Sequence, residues 1–135
     1  MQFAELVLGQ VAEVSKTITK ADIEAFAALT GDTNPMHLDE AFAAATRFGG
    51  LIAHGMLSAG LISTVLGTRL PGTGAIYLGQ SLRFTAPVRP GDTVTARAEV
   101  VELVPAKRRV RIRTTGTNQR GEVVIDGEAE MLLLA

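Results

Sequence analysis

Met56-Leu57-Ser58-Ala59-Gly60-Leu61-Ile62-Ser63-Thr64-Val65-Leu66-Gly67-Thr68-Arg69-Leu70, closed by Pro71-Gly72, is the stretch that decides the fold. It is apolar nearly all round, holds no Asp or Glu, and has Arg69 as its only charge. A helix without a polar face belongs inside a protein, and a Pro-Gly pair is a strong stop. The apolar run from Leu51 to Leu66 carries His54, three hydroxyl residues and two glycines, and is short for a bilayer span. The rest of the chain has to wrap this helix.

The wrapping lies downstream. Ala75 to Phe84, Thr93 to Leu103, Arg108 to Asn118 and Glu122 to Leu134 read as strands, with breaks at Pro90-Gly91-Asp92, Val104-Pro105-Ala106 and Gln119-Arg120-Gly121. Val94, Ala96, Ala98 and Val100 alternate with Thr95, Arg97 and Glu99, and Val110, Ile112 and Thr114 alternate with Arg109, Arg111 and Arg113. Connections this short require antiparallel neighbours. Upstream, Val11 to Ile18 has β character, and Thr19-Lys20-Ala21-Asp22 has the form of a capping box. The helix it opens carries Ile23, Phe26, Ala27 and Thr30 on one face and closes at Gly31. Asp32-Thr33-Asn34-Pro35 is turn chemistry, Asp39 caps a short helix over Ala41 to Arg47, and Gly49-Gly50 breaks it. These elements predict an α+β hot-dog fold: one antiparallel sheet curled around one buried helix, with Thr19 to Gly50 laid over one end.

Composition narrows the function. At 135 residues and 47% hydrophobic, residues 1–135 form a single domain with its own core and have no room for a separate cofactor domain. Thirteen basic against 14 acidic residues give a net charge of −1, and so no electrostatic case for nucleic acid or an anionic membrane. The absence of cysteine excludes disulfides, thiolate metal sites and a cysteine nucleophile. No His/Asp/Glu cluster has metal spacing, and Gly72 and Gly74 do not make a dinucleotide fingerprint, so no metal and no cofactor are expected. Met1 to Gln10 lacks the pattern of a secretory leader, and the expected location is cytoplasmic.

Asp32 and His37 stand five residues apart across a turn stiffened by Pro35, an arrangement that lets a carboxylate and an imidazole converge on one water. The run Asp32 to His37, then Ala53-His54-Gly55-Met56, then Tyr77 to Phe84 and Pro87 to Asp92, resembles the MaoC-like hydratase family. Within that family it is most similar to the short R-specific enoyl-CoA hydratases of polyhydroxyalkanoate metabolism. The resemblance implies a homodimer without a cofactor that reversibly hydrates trans-2-enoyl-CoA to R-3-hydroxyacyl-CoA. It makes Asp32 and His37 the catalytic pair, without saying which is base and which acid. It also implies that the Gly55 N–H holds the thioester oxygen and that Ser63 lines the site, and it leaves His54 as a structural hydrogen-bonding residue.

Two other readings stay open: a MaoC-like dehydratase of R-3-hydroxyacyl thioesters in fatty-acid synthesis, and a non-catalytic acyl-thioester-binding module. Other hot-dog thioesterases and dehydratases place an acid on the central helix, which has none here. Lys107, Arg108, Arg109, Arg111 and Arg113 read as a solvated strand face, with contact to coenzyme A phosphates as the functional alternative. If the acyl chain runs beside the buried helix, Leu66 and Met131 should close its far end after about four to six carbons. An apolar last strand, Met131 to Leu134, would leave a hydrophobic edge or face exposed in a monomer, which argues for edge-to-edge pairing of two copies.

Overall fold

The computed structural model describes every residue from Met1 to Ala135. Strand β1 (Val11–Thr17) leads into α1 (Lys20–Thr30), the short helical turns α2 (Pro35–Leu38) and α3 (Glu40–Ala44), and the long helix α4 (Gly55–Thr68). Then follow β2 (Ala75–Gln80), β3 (Arg83–Phe84), β4 (Thr93–Val104), β5 (Arg109–Thr117) and β6 (Val123–Leu133). All pairings are antiparallel, in the order β1-β4-β5-β6-β2, with β3 also on β6. This is the hot-dog arrangement, and no helix is long and apolar enough to cross a membrane.

The alternating strands do what their pattern requires. Val94, Ala96, Ala98 and Val100 of β4, Val110 and Ile112 of β5, and Ala129, Met131 and Leu133 of β6 are all buried. They form one core with Ile62, Val65 and Leu66 of α4. On the outer face, Arg109 pairs with Glu130, Arg111 with Glu102 and Glu128, Arg113 with Asp126, and Arg97 with Glu13 and Glu99. The arginine stripe is therefore a solvated face whose strand arginines pair with carboxylates on neighbouring strands or further along their own.

The structure corrects three expectations. Helix α4 is enclosed on one side only: Met56, Gly60, Ser63, Thr64 and Gly67 are exposed. Small and hydroxyl residues fill that outer face, and they made the helix read as apolar all round. The strand expected from Ala75 to Phe84 breaks at Ser81-Leu82, where Ser81 N–H donates to the Glu128 carbonyl at 2.9 Å. The chain passes so close there that a Cβ on Gly127 would fall 1.8 Å from the Ser81 carbonyl oxygen. Finally, β6 is not an edge. It lies between β5 and β2, Met131 and Leu133 are buried, and the open edge beside the exposed Ile76, Tyr77 and Leu78 belongs to β2.

The Pro87 to Asp92 segment has a structural task. The buried Asp92 carboxylate accepts the Arg89 N–H at 2.9 Å and the Gln119 side-chain amide at 2.8 Å, with Arg120 at 3.5 Å. It pins the turn that presents the Val88 carbonyl to Ala53 N–H at 2.7 Å. Burial pushes the Asp92 carboxyl upward, but these donors and Arg120 outweigh it and hold its pKa below the ordinary carboxylate value. A group lowered on folding contributes stability that is present above its unfolded pKa, roughly 3.9, and is lost as pH falls through the folded value. Asp92→Asn should therefore lower stability at neutral pH by about 1–3 kcal/mol. It should also shrink the loss of stability on acidification in urea melts from pH 7 to 3. An acid limb unchanged from wild type would contradict this.

Candidate active site

The site begins where α1 ends. The capping box forms, with Thr19 and Asp22 exchanging hydrogen bonds at 2.9 and 3.1 Å, and Gly31 closes the helix at a φ of 80°. A positive φ of this kind suits glycine and frees the chain to turn sharply. Three side-chain to backbone bonds then step the chain forward: Asp32 N–H to Thr30 Oγ1, Asn34 N–H to Asp32 Oδ1, and Met36 N–H to Asn34 Oδ1. Pro35 occupies the first position of α2, where a missing N–H costs nothing, and His37 lies on that turn. Asp39 caps α3 by accepting the Phe42 N–H, and α3 ends at Ala44, short of the expected Arg47.

Two imidazoles tie this overlay to the start of α4. His37 Nδ1 lies 2.7 Å from the Ile52 carbonyl oxygen, and a carbonyl can only accept, so Nδ1 carries the proton and Nε2 keeps a free lone pair. His54 Nε2 lies 3.0 Å from the Asp32 carbonyl oxygen, so there the proton is on Nε2. The rings stack at 3.8 Å between centroids with planes 30° apart, and Phe26 of α1 packs on His54 at 4.7 Å. His54 thus has the structural role expected of it.

Nitrogen and carboxylate atoms of Asp32, His37 and His54 lie within 4.8 Å of one another. Each ring gives one N–H to a backbone carbonyl, and the remaining nitrogen of His54 is buried. That is a poor ligand set and a good holder for a polar reactant. Asp32 is exposed and forms no ion pair; one oxygen accepts the Asn34 N–H, and the other has no partner in the chain.

Two adjoining clefts meet here. The first, of about 340 Å³, is lined by His37, His54, Gly55, Ser58, Phe84 and Val88, among others. The second contains Asp32 and Phe26 and shares His37, His54, Gly55 and Met56 with the first. Gly55 opens α4. Its N–H and that of Met56 donate to no atom of the chain, and no side chain caps the helix. Two free donors at a helix start suit a developing oxyanion. Gly55 also has a packing duty, since a Cβ there would meet the Phe84 ring at 2.6 Å.

Not every expected residue is at the clefts. Asp32, His37 and Gly55 converge there. Ser63 does not line either cleft: it is exposed, about 140° around α4 from Ser58, the serine that does. Leu66 and Met131 are buried together in the core and line neither cleft. Ser58 and Phe84 were not singled out from the sequence. Ser58 was findable, because it precedes Ile62, Val65 and Leu66 at the spacing of one helix face.

Similarity to known proteins runs along the whole chain. Residues 6–123 match the MaoC like domain. An (R)-specific enoyl-CoA hydratase of Rhodospirillum rubrum is 57% identical over 133 residues, covering 98% of this chain and 92% of the relative. A 3-hydroxybutyryl-CoA dehydratase of Methylorubrum extorquens is 53% identical over 129 residues, 96% of this chain and 82% of the relative. The unliganded R-hydratase of Pseudomonas aeruginosa superposes with a TM-score of 0.93 at 53% identity, covering 98% of this chain and 84% of that one.

The tautomers can be read directly. In ¹⁵N-histidine spectra at pH 8, His37 should appear as the Nδ1–H form and His54 as the Nε2–H form. The reverse pairing would contradict the geometry.

Proposed function

The chain belongs to the MaoC-like domain family, and on that premise we propose that it is an R-specific enoyl-CoA hydratase. It adds water reversibly to trans-2-enoyl-CoA to give R-3-hydroxyacyl-CoA, a hydro-lyase reaction of fatty-acid and polyhydroxyalkanoate metabolism. The observation that carries this reading is the convergence of a partnerless Asp32 oxygen and the bare His37 Nε2 beside the free Gly55 N–H. The names of the two similar proteins from Rhodospirillum and Methylorubrum support it, since hydration and dehydration are one equilibrium run in opposite directions.

Asp32 and His37 hold one water against one face of the double bond. As the water oxygen attacks C3, the pair takes up a proton from it, and the C2–C3 π electrons move toward the thioester carbonyl. The oxygen that gains charge is met by the Gly55 N–H at the start of α4. The pair then returns a proton to C2, so that one water is consumed and both groups end as they began. Both exchanges happen on the same face, so the addition is syn, and the face that the bound substrate turns toward the pair makes C3 R.

The reading includes a homodimer in the cytoplasm. Strand β2 is an open edge with Ile76, Tyr77 and Leu78 exposed, and a cleft of about 400 Å³ beside it is lined by Met56, Ala59, Gly60, Leu78 and Leu82. An apolar open edge is stable when another strand covers it, and a second copy supplies one. Ser63, on the same exposed side of α4 as Gly60, faces outward where a partner can approach it.

The acyl chain enters beside α4, and the core behind Ser58 limits its length. Ile62 comes first, then Leu66 with Met131, which keeps the preferred acyl groups to about four to six carbons.

Two measurements follow. Asp32→Asn and His37→Gln should each lower kcat on crotonyl-CoA by at least about 100-fold. Both variants should sediment as dimers and keep the wild-type Tm; near-normal turnover in either would sink the assignment. Leu66→Ala should cost about 2–5 kcal/mol of stability, as a buried truncation does, while raising kcat/KM on eight-carbon substrates relative to crotonyl-CoA. An unchanged chain-length profile would leave Leu66 as core only.

A further inference from the structure

His54 touches both members of the catalytic pair, through its Nε2–H to the Asp32 carbonyl and its ring against His37. It is 3% exposed, and its other nitrogen, Nδ1, is buried with no hydrogen-bond partner. A neutral imidazole can shift its proton from one nitrogen to the other. With the proton on Nδ1, the bare Nε2 would face the Asp32 carbonyl lone pair to lone pair, and the anchor of the Asp32 turn would become a repulsion. A donor to Nδ1 therefore adds to the Asp32 carbonyl in selecting the Nε2–H form on which the site is assembled.

The sequence places one such group on the same helix. Ser58 is four residues on, one turn along the same face, and helical side chains lean toward the N-terminus, which tilts the hydroxyl back over His54. Ser58 is also 3% exposed, and its Oγ is buried with no partner. It does not take the usual course of a helical serine, a bond to the carbonyl one turn back. Both residues line the main cleft, of about 340 Å³. No direct bond joins Oγ to Nδ1.

We propose that Ser58 is a positioning residue of the hydration reaction: one water, bound between its hydroxyl and His54 Nδ1, fixes His54 as the Nε2–H tautomer. That water donates to Nδ1 and accepts from the Ser58 hydroxyl, so two orphaned buried groups satisfy each other. It is distinct from the water that reacts, which Asp32 and His37 hold. The inference rests on the hydratase reading for its effect on rate, but the tautomer of His54 can be read whatever the protein catalyses.

The test compares wild type, Ser58→Ala and Ser58→Thr by crotonyl-CoA kinetics and by ¹⁵N-histidine NMR of the unliganded protein. Ser58→Ala should lower kcat about tenfold with KM within about twofold, the pattern of lost positioning rather than lost binding. Its His54 signals should change from a single Nε2–H form to a mixture of tautomers, while His37 stays Nδ1–H. Ser58→Thr restores a hydroxyl and should recover the single form and most of kcat. Wild-type kcat with an unchanged tautomer in Ser58→Ala would overturn the proposal. A raised KM with kcat intact would also overturn it, because the hydroxyl would then be meeting substrate. If wild type fails to hydrate crotonyl-CoA, the hydratase reading falls, and the tautomer comparison still decides the role of Ser58.

Discussion

Two imidazole N–H groups donating to two backbone carbonyls hold this site together. His37 binds the Ile52 carbonyl, and His54 binds the Asp32 carbonyl, so each half of the site is fastened to the other. Without them, the Asp32 turn would be an exposed loop attached to α1, and Gly55 would be the bare start of a helix. With them, a carboxylate from the overlay, an imidazole from α2 and an N–H from α4 face one small volume. Each carbonyl also favours one tautomer of its partner ring, so the same two bonds bear on geometry and proton position together.

The sheet contributes by being unyielding. Ala53, just before the helix, is clamped to Val88, and Val88 belongs to a turn pinned by the buried Asp92. Helix α4 is held from below by Ile62, Val65 and Leu66 in the core. Charge is kept apart from this site: the strand arginines pair with carboxylates on the outer face, while the Asp32 carboxylate has no ion pair. A carboxylate free of a cationic partner remains available to a water proton.

Local chemistry was legible in the sequence, and relative placement was not. Thr19 and Asp22, Gly31, Pro35 and Asp39 all act through neighbours within a few residues, and their roles follow from residue type alone. The alternation in β4 and β5 identified the buried face because a period of two leaves no ambiguity about sides. On α4, by contrast, Gly60, Ser63, Thr64 and Gly67 are small enough to read as apolar beside Ile62 and Leu66. The exposed side was invisible for that reason. The edge strand was missed for a related reason: β2 is laid down beside β6 by a long-range pairing that no short window contains.

In the proposed reaction a single water, held by Asp32 and His37 on one face of the double bond, supplies both the hydroxyl and the proton that reaches C2. Hydration of crotonyl-CoA in D₂O, with the configuration determined at both C2 and C3 of the product, tests it most directly. The expected product is 3-hydroxybutyryl-CoA of R configuration at C3, with deuterium at C2 added to the same face as the hydroxyl. An S product, or deuterium on the opposite face, would contradict it.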